Sequence, residues 1–295
     1  MRRKVIIHGP SSMTVSLPST WVKQHNIQKG GELDVYEEDE GLIIKPVCSN
    51  NSVKSTEVSL IGLDDHTKRD LLISLHKKGY DEIKINFDKQ NMVKELYAFL
   101  NNMQLGFEII KQDQESITIR NISNPESEQF DNLFRRIFRI TIEYLKKIEA
   151  IINNTEDMTH SCLLYETSIM RISNYCKRII IKDKRQNACF LYAIINDLNH
   201  VAHNLTLLLD EIKEMNGTPS KQFCAKFSEV CELTISIYNL FYKFSMQEYS
   251  SINERSKTLK KQLSETKSKE FHWDHLESIQ KHIDSLLESM LSVQV

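Results

Sequence analysis

Phe130-Asp131-Asn132-Leu133-Phe134-Arg135-Arg136-Ile137-Phe138-Arg139-Ile140-Thr141-Ile142-Glu143-Tyr144-Leu145-Lys146-Lys147-Ile148 decides the fold class of this chain. Apolar or small residues return every third or fourth position, at Phe130, Leu133, Phe134, Ile137, Phe138, Ile140, Thr141, Tyr144, Leu145 and Ile148. That spacing lays a wide apolar stripe along one face of an α-helix. It predicts a single helix over about 126–153, ending at the turn signal Asn153-Asn154-Thr155. The surroundings extend the reading. Seven of the eight glycines lie at or before Gly106, and four of the five prolines at or before Pro125. Residues 126–216 and 220–295 contain neither, and only Asn216-Gly217-Thr218-Pro219 divides them. Long segments without breakers mean long helices. Two such blocks of similar size suggest an internal duplication of helical units, and the chain reads as multidomain and mainly α.

The 295 residues are enough for two or three domains, with 40% apolar and 26% charged residues, as in ordinary globular chains. The net charge of −2 argues against a chain that binds polyanions over its whole surface, so a nucleic-acid interface has to be local. No apolar run approaches the ~20 residues of a membrane span, and the N-terminus lacks the apolar core of a secretory signal. The expectation is a cytoplasmic protein. The six cysteines form no Cys-x-x-Cys pair and read as free, mostly buried thiols. Neither a phosphate-binding glycine loop nor a hydrolase or metalloprotease motif occurs, so no enzyme activity is expected.

Before Pro125 the period changes. Lys4–Ile7 and Thr14–Leu17 read as short strands. Pro18 opens a brief helix through His25, with Ser19 or Thr20 as its cap. Glu32–Tyr36 and Gly41–Pro46 form a hairpin with the acidic tip Glu37-Glu38-Asp39-Glu40, and residues 48–55 read as a polar linker. Residues 56–122 predict the order β-α-β-α-β-β, a small α/β connector between the first 47 residues and the helical half. Gly79, preceded by Lys77 and Lys78, fits a helix C-terminus.

The N-terminal run Ser11-Ser12-Met13-Thr14-Val15-Ser16-Leu17-Pro18-Ser19-Thr20-Trp21-Val22-Lys23 is followed by His25-Asn26-Ile27, Lys29-Gly30-Gly31-Glu32-Leu33 and Gly41-Leu42-Ile43-Ile44. This ordered series resembles the SpoVT/AbrB (MazE-like) DNA-binding domain over residues 1–47. The resemblance implies a homodimer in which two chains interleave hairpins into one swapped β-barrel. It implies a DNA-binding face at Arg2, Arg3 and Lys4, with His8, Thr14 and Lys23 beside them. Arg2, Arg3 and Lys4 of two chains bring six charges to a duplex. The six acids between residues 32 and 40 have to face away from it.

Residues 126–295 resemble PhoU, the phosphate-uptake regulator, most closely archaeal forms fused behind an AbrB-like domain. Three pieces carry this likeness: Phe130–Ile148, Glu166–Ile172 with Arg178, and Asp197-Leu198-Asn199-His200-Val201-Ala202-His203-Asn204. Leu276-Glu277-Ser278-Ile279-Gln280-Lys281-His282 echoes the last piece and matches the inferred duplication, with pseudo-repeats at 126–216 and 220–295. In that family acids four apart on neighbouring helices gather divalent or ferric ions, since positions i and i+4 share a face. The resemblance places Glu166, Asn199, His203 and Glu277 at such positions. Ser168, Met170 and Lys281 stand where the family has acids. Its implied partners are a phosphate-transporter ATPase or a signalling protein. The leading expectation is a transcriptional regulator of phosphate uptake; the alternative is a dimeric adaptor that does not bind DNA. His272-Trp273-Asp274-His275 and Met158-Thr159-His160 read as helix ends rather than metal half-sites. Ser256–Lys261 reads as a solvated, mixed-charge helix, and the Lys177, Arg178, Lys182, Lys184, Arg185 cluster as a charged helix end and loop.

Overall fold

The computed structural model describes residues 2–9, 12–38, 41–46, 53–88, 92–103, 105–123, 127–155, 162–215, 218–266 and 271–295. The tip Asp39-Glu40, most of the 48–55 linker, Met158-Thr159-His160 and Asn216-Gly217 lie outside these residues. The chain divides into two compact units, 1–53 and 54–295.

The first unit holds β1 (Val5–Ile7), β2 (Met13–Val15), α1 (Ser19–Gln24), β3 (Leu33–Glu38) and β4 (Gly41–Pro46). β1 pairs with β2 and β3 with β4, both antiparallel, as two separate two-stranded sheets. The second strand runs over Met13–Val15 rather than Thr14–Leu17, because Pro18 opens α1 and Ser16 and Leu17 become the lead into it. Pro18 itself occupies the N-cap, and no side chain caps the helix, so neither Ser19 nor Thr20 does so. Both already lie inside the helix; proline, with its φ preset, is suited to this edge.

The second unit begins with β5 (Ser55–Ser59), α2 (Asp65–Lys77), β6 (Glu82–Asn86), α3 (Met92–Met103), β7 (Phe107–Gln112) and β8 (Ser116–Asn121). This is the β-α-β-α-β-β order read from the sequence. The strand order is β5-β6-β8-β7, with β5 and β6 parallel and the other neighbours antiparallel. Alternation sets the faces. Ile83 pairs with Ile119 and Ile85 with Ile117, all four fully buried, while Lys84 on the opposite face is exposed. Leu60, Leu72, Phe87, Leu96 and Phe107 complete this core. Asp64 caps α2, accepting from the amides of His66 and Thr67 at 3.0 Å. Gly79 ends that helix at φ +80°, and a Cβ there would sit 2.9 Å from the Lys182 side chain, so glycine is required twice over.

Six helices follow: α4 (Ser127–Ile152), α5 (Cys162–Asp183), α6 (Ala188–Glu214), α7 (Lys221–Tyr242), α8 (Met246–Ser264) and α9 (Phe271–Gln294). α6, with 27 residues, is about 40 Å long. α4, α5 and α6 pack on one another, and so do α7, α8 and α9; α6 then packs along α9, and α4 along α7. The two triples thus repeat one contact scheme. The stripe quoted at the outset is the interior of this bundle. Phe134, Phe138, Tyr238 and Phe241 form one aromatic cluster with centroid spacings of 5.4–5.9 Å. His272 and Trp273 pack edge-on against Phe223. Cys162, Cys176 and Cys231 are buried and free, Cys224 is half-buried, and Cys189 is exposed. No described helix is long and apolar enough to cross a membrane.

Two charged stretches depart from the solvated reading. Ser256 is fully buried: it donates to Asp284 at 3.0 Å and accepts from Gln280 at 2.8 Å, while Lys260 reaches the other oxygen of Asp284. Arg178 is fully buried as well. Its guanidinium leaves α5 and donates to the carbonyls of His76 at 2.9 Å and Tyr80 at 2.7 Å, and to Asp81 at 2.5 Å. Lys182, one turn on, reaches the same Asp81 oxygen. A cation here meets the carbonyl-rich end of α2, where the helix dipole favours it. Arg178 and Lys182, four residues apart, share one face of α5; nothing local in the sequence shows that an α/β layer covers that face.

This junction gives two predictions. Arg178→Met strips three hydrogen bonds and leaves buried acceptors behind, so the full chain is expected to lose about 3–5 kcal/mol in urea unfolding. Arg178→Lys recovers only part of this, having no fork to span three acceptors. The second concerns acid. Burial holds the His76 imidazole neutral, pushing its pKa from 6.5 to about 3, with Arg178 adding repulsion. The unfolded chain binds that proton near 6.5 and the folded chain does not, so stability falls as pH drops from 6.5 toward 3. Burial opposes the Asp81 carboxylate, but the hydrogen bond from Lys182 and the other cationic partners outweigh it and keep its pKa below 3.8. Its contribution is therefore full above that value and lost as pH falls through the lower, folded one. Thermal melts from pH 7 to 3 check both: His76→Phe flattens the slope below pH 6.5, and Asp81→Asn costs stability at pH 7, a cost that shrinks as pH falls below 3.8.

Candidate functional site

In the first unit, β1 and β2 form a ribbon in register Val5↔Val15, Ile6↔Thr14 and Ile7↔Met13. The His8 amide donates to the Ser12 carbonyl at 2.8 Å and closes its loop, where Gly9 takes φ +81°. Arg2, Arg3 and Lys4 lead directly into β1 and are all exposed. His8 is exposed at the other end of that strand, about 13 Å from Lys4 along an extended chain. Thr14 is exposed on β2, its hydroxyl donating to the Ile6 carbonyl at 3.3 Å. Lys23 is exposed in the last turn of α1, near Trp21 and His25, whose rings lie 5.1 Å apart. The structure thus strings Arg2, Arg3, Lys4, His8 and Thr14 along one ribbon and places Lys23 on a separate element. The described acids Glu32, Asp34 and Glu37 are exposed on or beside β3, in the other hairpin.

The apolar residues of this unit have no core. No described residue in 2–46 is buried. Val5, Ile7 and Met13 share one face of the first ribbon and are 63%, 75% and 74% exposed; Val35 and Leu42 in the second hairpin are 58% and 67% exposed. An isolated two-stranded ribbon is marginal in water, and these side chains lose nothing by leaving it.

The second unit brings Glu166 and His203 together: His203 Nδ1 lies 3.0 Å from Glu166 Oε1, joining α5 to α6. Asn199 lies one turn before His203, and its buried Oδ1 has no hydrogen-bond partner among the described residues. Glu277 is on α9, paired with Lys281 at 2.8 Å. Among the described residues no group of three or more His, Cys, Asp or Glu side chains is placed to hold a metal ion.

Sequence reasoning had not picked out the neighbouring seam between α6 and α9. His200 and His282 stack there, centroids 4.6 Å apart and planes 13° from parallel. Asp197 holds His282 at 3.1 Å, and Glu211 lies 3.7 Å from His275. The signal for it was the motif echo between the two helices, which had been read for metal ligands and not for a contact between His200 and His282. Burial lowers the His200 pKa, and the charge of His282 adds to this against the attraction of Asp197; burial also lowers that of His275. In an NMR titration, His200 is expected to have its midpoint below 6.5, and His282→Gln moves that midpoint upward.

Residues 9–51 match the family model described as antidote-toxin recognition MazE, bacterial antitoxin. No curated protein and no solved structure matches the chain. The matched segment covers β2, α1 and both strands of the second hairpin, together with the loop that closes the first. The N-terminal segment is therefore MazE/AbrB-like over these residues.

Proposed function

We propose that the chain is a dimeric DNA-binding regulator. In this reading the hairpins of two copies interleave into one barrel, burying the apolar faces that a single copy leaves in water. Arg2, Arg3 and Lys4 of both copies then grip the duplex backbone, with His8, Thr14 and Lys23 beside them. Phosphate contacts of this kind fix register, while base-edge contacts choose sequence. Helices α4–α9 act as a PhoU-like bundle that receives a signal or partner and biases the dimer. A link to phosphate uptake, and a transporter ATPase or signalling protein as partner, is supported by the likeness of the Glu166–Ile172 and Asp197–Asn204 stretches to that family. No cofactor is part of this reading: a metal at Glu166, Asn199, His203 or Glu277 would follow from the same likeness, but Ser168, Met170 and Lys281 replace acids of the family there.

One observation carries the reading: a MazE/AbrB-like segment in which no described residue is buried, with its apolar ribbon and its basic lead exposed. The net charge of −2 and the exposed acids beside β3 favour a second reading, in which the same segment only dimerises and the bundle docks on another protein.

Fluorescence anisotropy across a salt series separates the two. The probes are the gene's own upstream duplex and a scrambled one. Six phosphate contacts predict a roughly thousandfold loss of affinity between about 50 and 200 mM salt. Arg2→Ala/Arg3→Ala removes four charges from the dimer, so the log–log salt slope becomes shallower by about 3 to 4. Absence of binding at low salt, or a slope unchanged in the variant, leaves the dimer clamp.

A further inference from the structure

α2 and α3 lie on one face of the sheet but do not pack closely on each other, and a cleft of about 690 Å³ opens between them. Its volume falls within the roughly 300–1,000 Å³ of small-molecule sites. Its position is also that of a ligand site. Leu60 follows the C-terminal end of β5, and α3 follows β6, so the cleft sits beyond the carboxyl ends of the two parallel strands, where open α/β sheets take their ligands.

The lining has a definite chemistry. Leu60, Leu72, Met92, Leu96 and Phe99 make an apolar floor. Four charged side chains stand at the mouth. Asp65 and Lys68 neutralise each other across 3.0 Å on α2. That leaves Arg69 on α2 and Glu95 on α3, on opposite walls. Among the described residues neither has an ion-pair or hydrogen-bond partner. The cleft thus offers one free cation, one free anion and an apolar interior.

We propose that this cleft binds a small zwitterion with an apolar body, the chemistry of a free amino acid with a large aliphatic or aromatic side chain. Arg69 receives the carboxylate through its planar fork, Glu95 accepts from the ammonium group, and the side chain enters between Leu72 and Phe99. Leu164 and Thr167 of α5 close the third side, so an occupant touches the sheet layer and the bundle at once. The proposal stands independently of DNA binding by the first unit.

Isothermal titration of the full chain tests it. L-Leucine and L-phenylalanine are the ligands. 4-Methylpentanoate lacks the ammonium group, leucinol lacks the carboxylate, and glycine lacks the apolar body. Saturable binding of leucine or phenylalanine is expected, weakened tenfold or more for each of the three comparison compounds. Arg69→Gln and Glu95→Gln change exposed side chains only, and each is expected to weaken binding tenfold or more while leaving the thermal melt of the free protein unchanged. Circular dichroism melts check that both variants fold. The proposal is overturned if neither amino acid binds at millimolar concentration, if 4-methylpentanoate binds as tightly as leucine, or if both folded variants bind as the parent does.

Discussion

The Arg178 guanidinium holds the second unit together in a way no apolar contact does. A buried cation is tolerable only if it is paired and hydrogen-bonded, and here Nη1 and Nη2 carry those bonds while Nε has no partner among the described residues. Here the acceptors are two carbonyls released at the end of α2 and the Asp81 carboxylate beside them. The His76 carbonyl also accepts from the Gly79 amide at 3.0 Å, and the guanidinium from the bundle adds a second donor to it while reaching the Tyr80 carbonyl just past the helix. The sheet layer and the bundle are joined by a polar requirement as well as by packing. Gly79 belongs to the same junction, since only its missing Cβ lets Lys182 pass alongside Arg178 to Asp81.

The first unit obeys the opposite condition. Its strands pair along one edge only, in two separate ribbons, and none of its described residues is buried, so the unit taken alone gains little hydrophobic stabilisation. In the dimer proposed above, function and assembly are inseparable, because the step that buries Val5, Ile7 and Met13 also sets two basic leads at a fixed spacing.

The elements themselves were legible where pattern and breakers agreed. The Phe130–Ile148 stripe became the inner face of α4, and the helix runs over Ser127–Ile152, close to the 126–153 expected. The strands of the α/β layer and the β7–β8 pair were readable, whereas the β6–β8 pairing that joins Ile83 to Ile119 and Ile85 to Ile117 was not. What escaped was non-local. Arg178 and Ser256 look solvent-facing from their own helices, and only a partner far along the chain reveals them as interior. The His200–His282 stack depends on two helices meeting in register, which spacing along either one does not encode. For the candidate sites, the residue types were readable and their company was not: Glu166 and His203 meet, whereas Glu277 turns to Lys281.

The reach of Arg178 also orders events in time. Its acceptors lie 97 to 102 residues earlier in the chain. α5, which carries it, packs chiefly on α4 and α6, its neighbours in sequence, and local contacts form early. Closing a loop of that length costs entropy that only a formed sheet layer and a formed bundle repay together. The guanidinium is thus a latch that engages late. Interactions absent from the folding transition state act on the rate of opening rather than of closing. The junction sets how long the native second unit survives once formed, and the apolar stripes set how fast it is reached.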